Sequence, residues 1–255
     1  MSFVSRREFF RSAACATLRA LVPSAFLAAE KASAAANGLS PEPKLRLQDA
    51  PSPLLFRGDG QTAYRDPAAI YHDGWFHLYF TYVTKEADGL AYSRVAWSKS
   101  RDLLRWTEVT PFTPLDLNFN YGSPGDVIRF GKHWVLCLQT YPRPNGEKYG
   151  NKNARIWTMR SYDLEHWLEP TLLQVKGPDV PIERMGRMID PYLFQDKDEP
   201  GKWWCIYKQK GLSMSWSRDL ETWTFAGNFA AAENPCVMWT AASMSCSIPP
   251  RAESA

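Results

Sequence analysis

Three carboxylates in this chain stand one or two residues before prolines in similar surroundings. They are Asp66 in Arg65-Asp66-Pro67, Asp190 in Ile189-Asp190-Pro191, and Glu233 in Glu233-Asn234-Pro235, and each precedes an apolar run. Carboxylates gathered in one pocket cannot all ionise at their ordinary pKa. One is pushed up and becomes a general acid while another stays a base. Cleavage of a glycosidic bond needs that division of labour. A residue before proline is expected to be extended, which would fix the direction of the Asp66 and Asp190 side chains. Arg65 and Arg187 flank the two Asp-Pro sites and are candidates to hold a sugar hydroxyl or pair with a carboxylate. Asp126 lacks the following proline and reads as a turn residue or a substrate contact. Tyr121, with Trp75 and Trp134, is a candidate sugar platform, with core packing the competing role for the two tryptophans.

The elements that must position these groups are set by an internal repeat, the feature to find before any other. Ser100-Arg-Asp-Leu-Leu-Arg-Trp, Ser161-Tyr-Asp-Leu-Glu-His-Trp and Ser217-Arg-Asp-Leu-Glu-Thr-Trp recur 61 and 56 residues apart. In the same phase, segments starting at Arg65, Gly125 and Ile189 each give an Asp, a short apolar strand, a turn and a longer aromatic strand. The aspartates of this second series are Asp66, Asp126 and Asp190. Within the first unit, residues 68–71 read as a strand and Asp73-Gly74 as a hairpin turn. Residues 75–83 are apolar at both alternating phases and read as a strand buried on both faces. Residues 93–99 make a third strand and 107–109 a short fourth. Four antiparallel strands, repeated and packed against copies of themselves, make a propeller blade.

Bulk properties agree with this and exclude other classes. The 255 residues suit one domain or two small ones, and 11 Trp, 11 Tyr and 13 Phe suit strands. A net charge of +3 gives no nucleic-acid surface. The N-terminus carries Arg6-Arg7 and Phe9-Phe10, then a weakly apolar stretch and the small run 32–36. This order predicts a twin-arginine export signal over residues 1–36 and a periplasmic or secreted protein. No later stretch is apolar and long enough to span a bilayer. Cys137, Cys205, Cys236 and Cys246 have no metal-ligand spacing, and Cys137 and Cys205 read as buried thiols. Neither these nor the four histidines indicate a metal or other cofactor. The sequence is silent on oligomeric state.

The Asp66 and Asp190 segments, in this order and phase, resemble the first and third blades of the family 43 glycoside hydrolases over residues 60–237. The resemblance implies an all-β, five-bladed β-propeller over residues 37–255, of which about three and a half blades are present. It further implies Asp66 as general base, Asp190 as the residue that tunes the acid's pKa and positions substrate, and Glu233 as general acid. The substrate would be an oligosaccharide or polysaccharide, cleaved with inversion. Related fructan-cleaving propellers of family 32 are retaining, and their Asn-Asp-Pro-Asn run is missing here. A non-catalytic carbohydrate-binding propeller, or an inactive remnant, is the alternative of a different class. Residues after about 238 are small and polar, without strand alternation. They predict an incomplete ring that is poorly soluble and weakly active, unless a short terminus closes it by pairing with residues 54–57.

Overall fold

Strand formation follows the repeat closely. The computed structural model describes residues 56–229, 234–239 and 244–247, all within the compact unit Pro41–Ala255. The first sheet contains β1 (Thr62–His72), β2 (Trp75–Lys85), β3 (Ala91–Ser100) and β4 (Thr110–Pro111). The second contains β5 (Tyr121–Phe130), β6 (His133–Thr140), β7 (Ile156–Ser161) and β8 (Thr171–Leu172). One helical turn, α1 (Ile182–Met185), precedes the third sheet. That sheet contains β9 (Ile189–Gln195), β10 (Trp203–Lys208), β11 (Leu212–Ser217) and β12 (Trp223–Phe229). Each of these sheets runs in chain order with antiparallel pairing, and β13 (Cys236–Trp239) pairs with β14 (Met244–Ser247). The described residues thus make three full blades and two strands of a fourth, a β-propeller-type fold.

Two expected boundaries shift. The fourth strand of the first blade lies at Thr110–Pro111 rather than 107–109, because Thr107 closes the preceding turn. Its N–H donates to the Lys99 carbonyl, and its own carbonyl accepts from Ser98 Oγ. Beyond residue 238 the sequence does return to a strand. Met244-Ser245-Cys246-Ser247 alternates apolar with small polar residues, a short signal that its composition masks, and it pairs with β13 from Cys236↔Ser247 to Trp239↔Met244.

The second strand of each blade shows why the pattern is apolar at both phases. On β2, Tyr79 packs toward the second blade with Val127, Leu136 and Leu138, while Leu78 and Phe80 pack on the other face with Phe56 and Tyr64. On β6, Leu136 and Leu138 face the first blade, and Val135 and Cys137 join Leu193, Cys205 and Tyr207 of the third. On β10, Cys205 and Tyr207 face back and Ile206 faces Val237 of the fourth. Strict alternation with both sides buried is what sandwiched blades require.

The Ser-x-Asp-Leu turns are built alike. Ser Oγ accepts from the N–H of the Asp and of the Leu, and Asp Oδ1 accepts from the next two N–H groups. These backbone bonds hold Asp102 and Asp219 down to about 2. Leu103, Leu164 and Leu220 adopt φ of 60°, 67° and 61°, a strained left-handed state for leucine. The Trp106 and Trp223 indoles bond the carbonyls of Leu103 and Leu220, whereas the Leu164 carbonyl accepts from Tyr79 of the first blade.

Candidate active site

Proline removes a backbone donor, so a strand that begins with X-Pro must leave the ladder there. All three complete blades do so at the same point. Arg65 pairs with Thr81 and Ala68 with Tyr79, so Asp66 and Pro67 oppose a single residue. Ile189 pairs with Lys208 and Tyr192 with Ile206, so Asp190 and Pro191 do the same. In the second blade Gly122 pairs with Gln139 and Asp126 with Cys137, which leaves Ser123, Pro124 and Gly125 in the bulge. Bulges of this kind re-aim side chains at sheet ends.

The residue before each proline is not extended, contrary to the sequence-based expectation. Asp66, Ser123, Asp190 and Asn234 have φ of 51°, 43°, 52° and 48°. The bulge imposes a left-handed turn that overrides the ordinary preference before proline. Asp and Asn tolerate this region better than most residues.

This backbone equivalence corrects the phase of the repeat. The second-blade counterpart of Asp66 is Ser123, which shares its left-handed backbone and precedes Pro124, whereas Asp126 stands where the ladder resumes and so matches Ala68. That blade also carries one extra bulge residue, Gly125. Its backbone lies so close to the third blade that an added Cβ would sit 1.6 Å from the Pro191 carbonyl oxygen. In the fourth unit the counterpart is Asn234. Glu233, one residue earlier, lies outside the described residues.

All four left-handed residues line one cavity of about 690 Å³, together with Arg65, Arg187, Thr81, Gln139 and the loop after β6. Asp66 Oδ2 accepts from the hydroxyls of Thr81 at 2.9 Å and Ser123 at 3.2 Å. Thr81 Oγ1 also accepts the Ser123 N–H at 2.7 Å, so one buried hydroxyl joins two blades and orients the carboxylate. Gln139 repeats this linkage one blade on, where its Oε1 accepts the Asp190 N–H at 2.6 Å. The preceding loop is tied down by buried Arg155, whose guanidinium donates to the carbonyls of Ile182 and Gly186.

Asp126 and Tyr121 do not line this cavity. Asp126 is half-buried against Tyr192 and accepts from the Val127 N–H, and burial pushes it up to about 6. Tyr121 is buried in the core between the first two blades, against Phe119 and Trp157, so it offers no face to a sugar. Trp134 is buried in the same core, and Trp75 lies under Lys99 and Arg101. The aromatic rings that do line the cavity are Tyr141 and Tyr149. Sequence reasoning passed over them because they sit in a Pro-, Gly- and Asn-rich loop (141–150) rather than in a repeat.

No family model matches this sequence, and no curated protein does. Solved structures match in fold. A family 117 glycoside hydrolase of the marine bacterium Zobellia galactanivorans superposes with a TM-score of 0.58 at 16% identity, over 77% of this chain and 65% of that one. A structure from a study of mannoside phosphorylases and hydrolases of family 130 gives 0.53 at 17%, over 72% and 59%. An N-acetylgalactosamine deacetylase from F. plautii, bound to blood group B trisaccharide, gives 0.52 at 14%, over 74% and 57%. At these identities the likeness establishes the propeller-type fold. The chain spans less than two thirds of the length of these structures.

Proposed function

We propose that this chain is a glycoside hydrolase of the family 43 type that cleaves oligosaccharides or polysaccharides with inversion. The observation that carries the reading is the arrival of Asp66 and Asp190, from different blades, on one cavity at equivalent bulges. Asp66 is the base. Its carboxylate takes a proton from a water as that water attacks the anomeric carbon, and the Thr81 and Ser123 hydroxyls keep it aimed. Glu233, which directly precedes the cavity residue Asn234, gives its proton to the departing glycosidic oxygen. Asp190 raises the pKa of that acid by like-charge repulsion and orients the sugar. Residues 1–36 act as a twin-arginine signal, so the catalyst works outside the cytoplasm.

The test is a panel of 4-nitrophenyl glycosides, including the arabinofuranoside and xyloside, with the anomer first released identified by proton NMR. Wild type should release the inverted anomer, and Asp66→Asn should lose about 10³-fold or more in kcat/KM. An Asp66→Asn variant as active as wild type would end this reading, and a retained anomer would replace inversion with a covalent route.

A further inference from the structure

The cavity carries more positive charge than a neutral sugar requires. Its described wall has five cations, Arg65, Arg143, Lys148, Arg187 and Lys208, against two carboxylates, Asp66 and Asp190. Counting Glu233 as a third acid leaves the excess in place. The bonds on Asp66 Oδ2 come from the neutral hydroxyls of Thr81 and Ser123. Among the described residues, Arg65, Arg143, Lys148 and Arg187 form no ion pair.

Arg143, Lys148 and Arg187 instead contact backbone or aromatic rings. Arg143 donates to the Ala91 carbonyl at 2.6 Å, which ties loop 141–150 to the first blade. Arg187, from the third blade, lies 5.5 Å from the centre of the Tyr141 ring. Glu147 is within Coulombic reach of Arg143, but its oxygens accept from Asn145 and it is not part of the wall. Lys148 stands 5.2 Å from the ring of Tyr149, which is 65% exposed. Unpaired cations around a concave surface raise a positive potential that concentrates anions. Guanidinium forks meet planar or tetrahedral oxyanions with paired hydrogen bonds. An exposed ring beside an ammonium suits a sugar that stacks its C–H face and presents an anionic substituent alongside.

We propose that the cavity takes a saccharide bearing an oxyanion substituent, a carboxylate or a sulfate ester. Tyr149 and Lys148 receive the charged sugar, and Arg65 and Arg187 face it from the first and third blades. This rests on the glycoside-hydrolase reading of the same cavity and narrows its substrate class.

The experiment measures binding of the full chain by calorimetry to oligoglucuronate and to a sulfated oligosaccharide, each against its carboxyl-reduced or desulfated twin. At about 50 mM NaCl, at least one charged member should bind about tenfold or more tightly than its twin, and the advantage should shrink at about 300 mM. The double variant Arg65→Gln, Lys148→Gln should erase the advantage, while Lys132→Gln on an exposed turn outside the cavity should keep it. Which arm responds separates carboxylate from sulfate. Equal affinity for charged and neutral twins, an unaltered preference in the double variant, no binding in any arm, or saturation by inorganic phosphate alone would each overturn the proposal. Asp66→Asn should lose hydrolysis and keep the charge preference. Charge preference without hydrolysis in wild type sinks only the catalytic reading, and hydrolysis of neutral glycosides without charge preference sinks only this one.

Discussion

Thr81 gives the sharpest test of how the cavity is held together. It is 4% exposed, and its single hydroxyl donates to Asp66 Oδ2 and accepts the Ser123 N–H. Thr81→Val keeps the shape and removes the oxygen. Gly122 packs tightly on this side chain, with an added Cβ only 3.1 Å from Thr81 Cγ2 and Oγ1, so the valine has little room to shift. Two losses follow. The half-buried carboxylate recovers part of its bond from water and keeps Ser123, so that loss is the smaller. The part-buried Ser123 N–H loses its partner on the first blade, and a donor left unsatisfied costs about 1–3 kcal/mol. We expect Thr81→Val to lower unfolding free energy by about 2–3 kcal/mol in urea titrations. Freed from one of two anchors, Asp66 should also lose about 10–100-fold in kcat. Thr81→Ser keeps both bonds, gives up one methyl worth about 0.8 kcal/mol, and should retain most activity. Equal stability and activity of the Val and Ser variants would refute the reasoning, because packing and not the hydroxyl would then hold the blades.

Three further outcomes follow from the same geometry. Gly125→Ala places a methyl against the Pro191 carbonyl and should destabilise by about 3 kcal/mol or more, read as a fall in the urea midpoint; an unchanged midpoint would show that the two blades can part without cost. Asp126 is raised to about 6 by burial, so the folded state holds its proton more tightly than the unfolded chain and its burial opposes folding increasingly as pH rises from about 4 through 6. Asp126→Asn should therefore match wild type near pH 4 and exceed it by about 2–3 kcal/mol at pH 7.5, and a gap that does not change with pH would contradict the assignment. Asp190→Asn removes the negative neighbour of the proposed acid, so the alkaline limb of the pH–rate profile should move to lower pH; a limb that stays in place would remove Asp190 from that role.

Features written in consecutive residues were legible. Asp73-Gly74 makes the two-residue turn that its type requires, with φ of 47° and 79°. The Ser-x-Asp-Leu segments fold as capped turns, and the doubly apolar strands are sandwiched as their pattern demands. What failed depended on spatial register. A residue before proline is expected to be extended, and the left-handed backbone here is decided instead by the bulge. Counting from one Asp to the next selected Asp126, because the second blade carries a serine, Ser123, at the position that holds Asp66 and Asp190 in its neighbours. Aromatic type alone cannot separate a sugar platform from a core. Tyr121 and Tyr149 differ only in whether the neighbouring blade covers them.

The recurring bulge has a consequence for how such a molecule can change. A residue inside a ladder is constrained by its pairing partner, its face and its strand propensity. The residue before each proline has been lifted out of all three. Its backbone state is supplied by the bulge, and the residue lines the shared cavity. Four copies of this one position now display carboxylate, hydroxyl, carboxylate and amide, as Asp66, Ser123, Asp190 and Asn234. The sheets have therefore made reactivity interchangeable blade by blade. New chemistry can be tried at one site while the strand pairing beneath all four stays as it was.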